Sequence, residues 1–105
     1  MNWPADADGD VLRRLKAKGF DFGQSHQIDF NIGFDSWPPP EQAMAQLRNG
    51  HARAAIARQI DDEGGYLLFR IEMPVTYDAI TGMQARLTQL MAPFGGRCET
   101  WGVAS

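Results

Sequence analysis

The segment His26–Phe34 shows the clearest alternation of apolar and polar residues in the chain. Its apolar members are Ile28, Phe30, Ile32 and Phe34, and polar residues or glycine separate them. Because successive side chains of a strand point to opposite faces, this period of two predicts a strand with one apolar face. A sheet that contains such a strand is covered on one side and open on the other.

Three segments show helical patterns instead. Tyr77 to Ala92 carries apolar residues at steps of three and four, with Thr76 as the predicted N-cap and Pro93 beyond its end. Asp8 to Lys18 begins with acidic and ends with basic residues, as the helix dipole favours, and Gly19 is its predicted stop. Glu41 to Arg48 follows three prolines and forms the third predicted helix.

The remaining segments complete an α+β pattern. His51 to Ile60 fits a helix by its alanines but also alternates, and we interpret it as the first arm of a hairpin whose second arm is Tyr66–Val75. Arg97 to Val103 is a short last strand. The predicted fold is a ferredoxin-like split βαβ sandwich, βαββαβ, with helices on one face of a four-stranded antiparallel sheet and an extra N-terminal helix. The first and third strands are expected at its centre.

Composition narrows the class of protein. The chain has 105 residues with a net charge of −3, so we expect one domain over residues 1–105 and no cation-driven binding to nucleic acid. It has one cysteine, which excludes an intramolecular disulfide, and no apolar run near the ~20 residues that a membrane helix needs. The N-terminal residues do not resemble a secretory signal, and a cytoplasmic location is expected.

Candidate catalytic and metal-binding groups are few. Cys98 is expected to face the helices as a buried thiol, and His26 and His51 are expected to be surface or capping groups. No His-x-x-x-His or Cys-x-x-Cys spacing is present, so no metal is predicted. Gly65–Phe69 is faintly similar to an RNA-recognition signature, but acidic residues share its predicted face, and direct RNA binding is not expected.

Several motifs resemble one family. Asp8-Gly9-Asp10-Val11-Leu12, Gly19-Phe20-Asp21, His26-Gln27-Ile28-Asp29-Phe30, Gly95-Gly96 and Trp101-Gly102 follow the order and spacing of the RraB family, the regulators of ribonuclease E activity B. Glu99-Thr100 stands where that family tends to carry Asp-Gly. The resemblance implies a ferredoxin-like fold and a non-catalytic protein that binds ribonuclease E and alters RNA degradation. It implies no cofactor.

The open face of the predicted sheet is the candidate protein-binding surface. Its predicted members are Asp29, Asn31, Tyr66, Arg70, Glu72, Glu99 and Trp101. For Trp101 two interpretations stay open: an exposed binding anchor, or packing against the N-terminal helix or the Gly19–Ser25 loop. The alternative function is a dimeric domain that binds a small molecule or has an enzymatic role, with Tyr66, Leu68 and Trp101 lining a pocket. Monomer and homodimer are both compatible with the sequence.

Overall fold

The computed structural model describes residues 4–51, 53–61 and 64–104. In chain order the elements are α1 (Ala7–Ala17), β1 (Ser25–Phe34), α2 (Glu41–Gly50), β2 (Ala55–Asp61), β3 (Gly64–Pro74), α3 (Tyr77–Met91), a 3₁₀ turn (Ala92–Phe94) and β4 (Gly96–Val103). The four strands form one antiparallel sheet in the order β2-β3-β1-β4. β1 and β3 are therefore central, and this prediction is confirmed.

The ambiguous segment before β3 is extended. β2 pairs antiparallel with β3 from Ala55 opposite Arg70 to Asp61 opposite Gly64, so the hairpin interpretation is confirmed. Part of the predicted turn, residues 62–63, lies outside the described residues, as does Ala52. Gly64 has a φ of +127°, a conformation that side chains with a Cβ rarely adopt.

The helix ends follow the predicted capping chemistry. The Thr76 hydroxyl accepts a hydrogen bond from the Ala79 backbone N–H at 3.1 Å, which confirms the predicted cap of α3. The Asp6 carboxylate caps α1 in the same way, accepting from the Gly9 N–H at 2.8 Å. Gly19, with a φ of +80°, follows the end of α1 in the left-handed conformation expected at a helix stop.

The core lies on one side of the sheet only. β1 contributes Ile28, Phe30 and Ile32, and β3 contributes Leu67, Phe69 and Met73. The helices cover these residues with Leu12, Ala43, Met44, Leu47, Ile80, Leu87 and Met91, all of them buried. The helices α2 and α3 pack against each other, and α1 packs against α3. The opposite side of the sheet is left without a covering helix among the described residues.

A β-bulge in β4 changes which side chains reach each side of the sheet. Ile32 of β1 lies opposite Cys98, and the residue before it, Asn31, lies opposite Thr100. Glu99 therefore has no partner on β1 and is the extra residue of β4. Alternation along β4 therefore shifts by one position after Glu99. Since a one-residue shift moves every later side chain to the other face, Thr100 points to the open side and Trp101 points to the helices.

The expectation that Trp101 lies on the open face is therefore wrong, and its packing interpretation is correct. Trp101 lies opposite Phe30 and packs against the core. Its indole N–H donates to the Asp8 carboxylate of α1 at 2.8 Å. The same Asp8 oxygen accepts from the Gln84 amide of α3 at 3.1 Å, so Trp101 and Gln84 together hold the start of α1 against the rest of the fold.

A second hydrogen bond ties α1 to α3, at Asp6, two residues before Asp8. The Tyr77 hydroxyl donates to the Asp6 carboxylate at 2.5 Å. This hydrogen bond is the main cause of a lowered pKa at Asp6 and of a raised pKa at Tyr77. Asp6 and Asp8 thus serve both as N-terminal acidic groups of α1 and as its links to other elements.

The Cys98 thiol and the His51 imidazole both make contacts on the helical side of the sheet. Cys98 packs against the core, as expected, and burial raises its thiol pKa to about 12. His51 follows α2, and its ring contacts Phe69 edge-on at 5.1 Å. Arg86 donates to His51 Nε2 at 3.2 Å, so the ring proton is on Nδ1, which faces the Leu47 carbonyl at 3.3 Å.

We expect Trp101→Ala to lower the free energy of unfolding by about 2–3 kcal/mol, because it removes packing and a hydrogen bond from the helical side. Trp101→Phe should cost about 1–2 kcal/mol, since the indole N–H and part of the packed ring area are lost. Urea denaturation measures both. Tyr66→Ala, on the open face, is the control and should cost clearly less. If Trp101→Ala and Tyr66→Ala lower the free energy of unfolding by equal, small amounts, the placement of Trp101 on the helical side is contradicted.

We expect a pH-dependent contribution from His51. Desolvation lowers the pKa of His51 below its usual 6.5, so the folded state binds a proton less readily than the unfolded state. The stability that neutral His51 provides is complete above pH 6.5 and is lost as pH falls through the lowered folded pKa. Urea midpoints between pH 8 and about pH 5 should fall in the natural chain more than in His51→Gln. Parallel curves would exclude this role of His51.

Candidate functional site

The open face is the side of the sheet that no described helix covers. It includes Ala55, Ala57 and Gln59 of β2, Gly64, Tyr66, Leu68, Arg70 and Glu72 of β3, Gln27, Asp29, Asn31 and Gly33 of β1, and Arg97, Glu99, Thr100 and Gly102 of β4. These positions alternate with the buried residues of the same strands. The bulge is the exception, because it places two consecutive residues, Glu99 and Thr100, on this face. The surface therefore combines charged, amide, hydroxyl and aromatic groups.

An ion pair joins the two central strands. Arg70 of β3 lies directly opposite Asp29 of β1 and donates from Nε at 2.6 Å and from Nη2 at 3.0 Å to its two carboxylate oxygens. The contact raises the pKa of Arg70. This two-point geometry fixes both side chains, but the pair is partly exposed, and such pairs contribute little net stability. Its main effect is to hold a flat polar area at the centre of the face.

A second polar contact crosses from β1 to β4. The Asn31 side-chain N–H donates to the Thr100 hydroxyl at 2.7 Å. This contact exists because the bulge turns Thr100 towards Asn31 on the open face. The middle of the open face therefore carries two side-chain pairs fixed by hydrogen bonds, Asp29 with Arg70 and Asn31 with Thr100.

A groove of about 510 Å³ lies at the end of the open face where β1 stops. It is lined by Asn31, Gly33, Phe34, Gly64, Gly65, Tyr66, Arg97, Glu99 and Thr100. Gly64 leaves open space in it, whereas the Cβ positions of Gly33 and Gly65 are taken by the Glu99 carboxylate and the Trp37 ring. The volume is within the range of small-ligand sites, and the polar residues of the lining converge on it from β1, β3 and β4.

The charged groups of the groove are Arg97 and Glu99 on β4. Arg97 Nη1 donates to the Asp35 carboxylate at 3.0 Å, and Arg97 Nη2 lies 4.0 Å from the Glu99 carboxylate. A Cβ added at Gly33 would overlap the Glu99 carboxylate, so Glu99 lies directly on the backbone of β1. Glycine at position 33 is what permits this close approach.

The structure places all the predicted site residues except Trp101 on one face of the sheet, with Glu72, opposite Gln27, at the far end from the groove. Asp29, Asn31, Tyr66, Arg70, Glu72 and Glu99 lie on the open face. For the pocket of the alternative function, Tyr66 lines the groove, but Leu68 and Trp101 do not. Sequence reasoning missed Thr100 and the groove beside Gly64. Thr100 could have been found only from the pairing of Asn31 with β4, since alternation within β4 places it on the other side.

Within residues 4–51, 53–61 and 64–104, no three His, Cys, Asp or Glu side chains come together as possible ligands of a metal ion. No helix of that part of the chain combines the length and the apolar character needed to cross a membrane.

Comparison with known proteins gives one match. No curated protein and no solved structure is similar enough to this chain to count as a match. The sequence does match the model of a protein family, described as Regulator of ribonuclease activity B, over residues 5–103. This range covers α1, the whole sheet and both later helices, so the likeness extends over nearly all of the fold. The chain therefore belongs to the RraB family, the family of regulators of ribonuclease activity.

Proposed function

We propose that this protein is a non-catalytic regulator that binds a ribonuclease of the E type and modulates RNA degradation. The match to the RraB family over residues 5–103 carries this proposal, because the family is defined by regulation of ribonuclease activity. Protein binding on the open face is the mechanism that we infer. A cytoplasmic location and a single domain over residues 1–105 belong to the same proposal.

We also infer that the fold is of the ferredoxin-like, split βαβ kind. The strand order β2-β3-β1-β4, with two βαβ-type connections through α2 and α3, supports this inference. In folds of this kind one face of the sheet is free for contact with a partner, which is the property that the proposed function needs.

The chemistry of the helical side supports a role without catalysis. The Cys98 thiol, with a pKa of about 12, carries almost no thiolate at neutral pH. Both nitrogens of His51 face polar groups of α2 and α3, and His26 Nε2 lies 2.8 Å from the Asp21 carbonyl oxygen. These side chains are engaged in contacts that hold the fold, and none of them lines the groove.

The residues of the open face suit a basic protein segment. Glu72 is exposed and forms no ion pair with a described residue, and Glu99 has only the distant contact with Arg97. With a net charge of −3, the chain attracts a positively charged partner at long range. Exposed ion pairs add only about 0–1 kcal/mol each, so Tyr66 and Leu68 must supply most of the affinity. Direct RNA binding is not part of this proposal.

We expect Tyr66→Ala combined with Leu68→Ser to weaken binding to a ribonuclease E-type enzyme of the source organism by about 30-fold or more. The reason is that the two substitutions remove the aromatic and aliphatic area of the open face. Calorimetric titration measures the affinity, and cleavage of a defined RNA by the enzyme measures regulation. The double variant should lose regulation in proportion to affinity.

Charge variants separate the open face from the rest of the surface. Glu72→Gln on β3 and Asp78→Asn on α3 each remove one negative charge, from an exposed position in both cases. Glu72→Gln should weaken binding about threefold, and Asp78→Asn should leave it unchanged. Binding should persist at about 0.5 M salt, where exposed charges are screened within about 4 Å. If the unaltered chain neither binds the enzyme nor changes RNA cleavage, the proposed function is wrong.

A further inference from the structure

The Glu99 carboxylate has unused hydrogen-bonding capacity. A carboxylate has two oxygens that can accept about four hydrogen bonds. Glu99 accepts none from any side chain or backbone group within residues 4–51, 53–61 and 64–104, and its ion pair with Arg97 is 4.0 Å long. Its side chain is about half exposed, at 49%. It is thus a charged acceptor that lines a groove and lacks close donors in the described structure.

An aromatic residue lies next to this carboxylate. Tyr66 is the direct cross-strand neighbour of Gly33, and the Glu99 carboxylate lies on Gly33 from the other side. Directly opposite residues in an antiparallel pair are about 5 Å apart, so Tyr66 and the carboxylate flank the same small area. Gly64 leaves open space beside them, and the Trp37 ring lies against Gly65.

The cation already present in the groove does not neutralise Glu99. Arg97 lies closer to Asp35, at 3.0 Å, than to Glu99, at 4.0 Å. The three groups together carry one net negative charge. A cation that enters between Glu99 and Tyr66 would therefore meet a net attraction, and an anion would meet repulsion.

We propose that the groove is a binding site for one arginine side chain of the partner protein, with Glu99 as its acceptor and Tyr66 as its stacking surface. This inference rests on the proposed function and specifies the partner chemistry at one end of the open face. A guanidinium group is planar and donates two parallel hydrogen bonds to a carboxylate. It also stacks on aromatic faces, whereas a lysine ammonium is a compact, strongly hydrated charge.

The Tyr66 ring and the two oxygens of the Glu99 carboxylate are the features that favour arginine over lysine. The Cβ position of Gly33 is taken by the Glu99 carboxylate and that of Gly65 by the Trp37 ring, so the open space of the groove lies beside Gly64 and Tyr66. A lysine could pair with Glu99 but would gain less from the aromatic ring, and it would stay more hydrated. The site is therefore expected to distinguish guanidinium from ammonium and to reject a neutral urea group of the same shape.

The first test uses three blocked pentapeptides, Gly-Gly-X-Gly-Gly, in which X is arginine, lysine or citrulline. Each is titrated into the ¹⁵N-labelled full chain at low ionic strength, and backbone amide shifts are followed. The arginine peptide should shift Gly33, Gly64, Gly65 and Tyr66 together. It should bind several-fold more tightly than the lysine peptide, and the citrulline peptide should cause no shift there.

Two variants test the assigned roles. Glu99→Gln keeps the shape of the side chain and should weaken the arginine peptide about tenfold. Gly33→Ala keeps every charge, but its Cβ displaces the Glu99 carboxylate and narrows the groove. Only the flexible end of Glu99 must move, so this variant should fold. Its affinity for the arginine peptide should nevertheless fall at least threefold. Asp78→Asn, which removes one exposed negative charge from α3, is the matched control and should leave the peptide affinity unchanged.

Binding to the ribonuclease separates this inference from the proposed function. In that assay Glu99→Gln should weaken binding about tenfold. If Tyr66→Ala with Leu68→Ser abolishes binding to the enzyme and Glu99→Gln does not weaken it, the function stands and the arginine site is wrong. Equal shifts by the lysine and arginine peptides, or unchanged peptide affinity in Gly33→Ala, would also overturn the site. If the peptides behave as expected and the enzyme does not bind, the proposed function fails instead.

Discussion

The register between β1 and β4 determines what each side of the sheet can do. Because Glu99 is an extra residue, Cys98 and Trp101 both point to the helices although three positions separate them. Regular alternation would place them on opposite sides. The same extra residue puts Glu99 and Thr100 side by side on the open face, where Thr100 meets Asn31. The link between Trp101 and α1 and the presence of both Glu99 and Thr100 in the groove follow from this irregularity.

The two sides of the sheet use their polar groups differently. On the helical side Asp6, Asp8 and His51 contact partners on other elements, and these contacts join α1, α2 and α3 to the sheet and to one another. On the open face Asp29 and Asn31 are paired across strands, but Glu72 and Glu99 have no close partner in the described residues. The open face therefore keeps charged groups that can contact a partner, whereas the polar groups of the helical side stabilise the fold.

Much of the fold could be predicted from the sequence because it depends on local chemistry. The alternation in His26–Phe34, the Thr76 cap and the Gly19 stop each act within a few residues, and each is found in the structure. The position of Trp101 depends instead on pairing with a strand some 70 residues earlier in the chain. Nothing within β4 itself marks the bulge, so alternation gave the wrong side for Trp101. The groove was not predicted for a related reason, since its lining joins residues of β1, β3 and β4 that are far apart in the sequence.

The attachment of α1 has a consequence for how the molecule opens. Leu12 is its one fully buried large side chain among the described residues, and its polar links are concentrated at Asp6 and Asp8 near its first turn. Such an element can detach as a cooperative unit at a lower free energy than global unfolding. Burial is the main cause of the raised pKa of Cys98 and the Asp8 charge is a smaller one, so detachment of α1 removes only part of what keeps this thiol unreactive. Detachment also leaves the Trp101 indole N–H without its acceptor, so the end of β4 loses its hydrogen bond to the helical side.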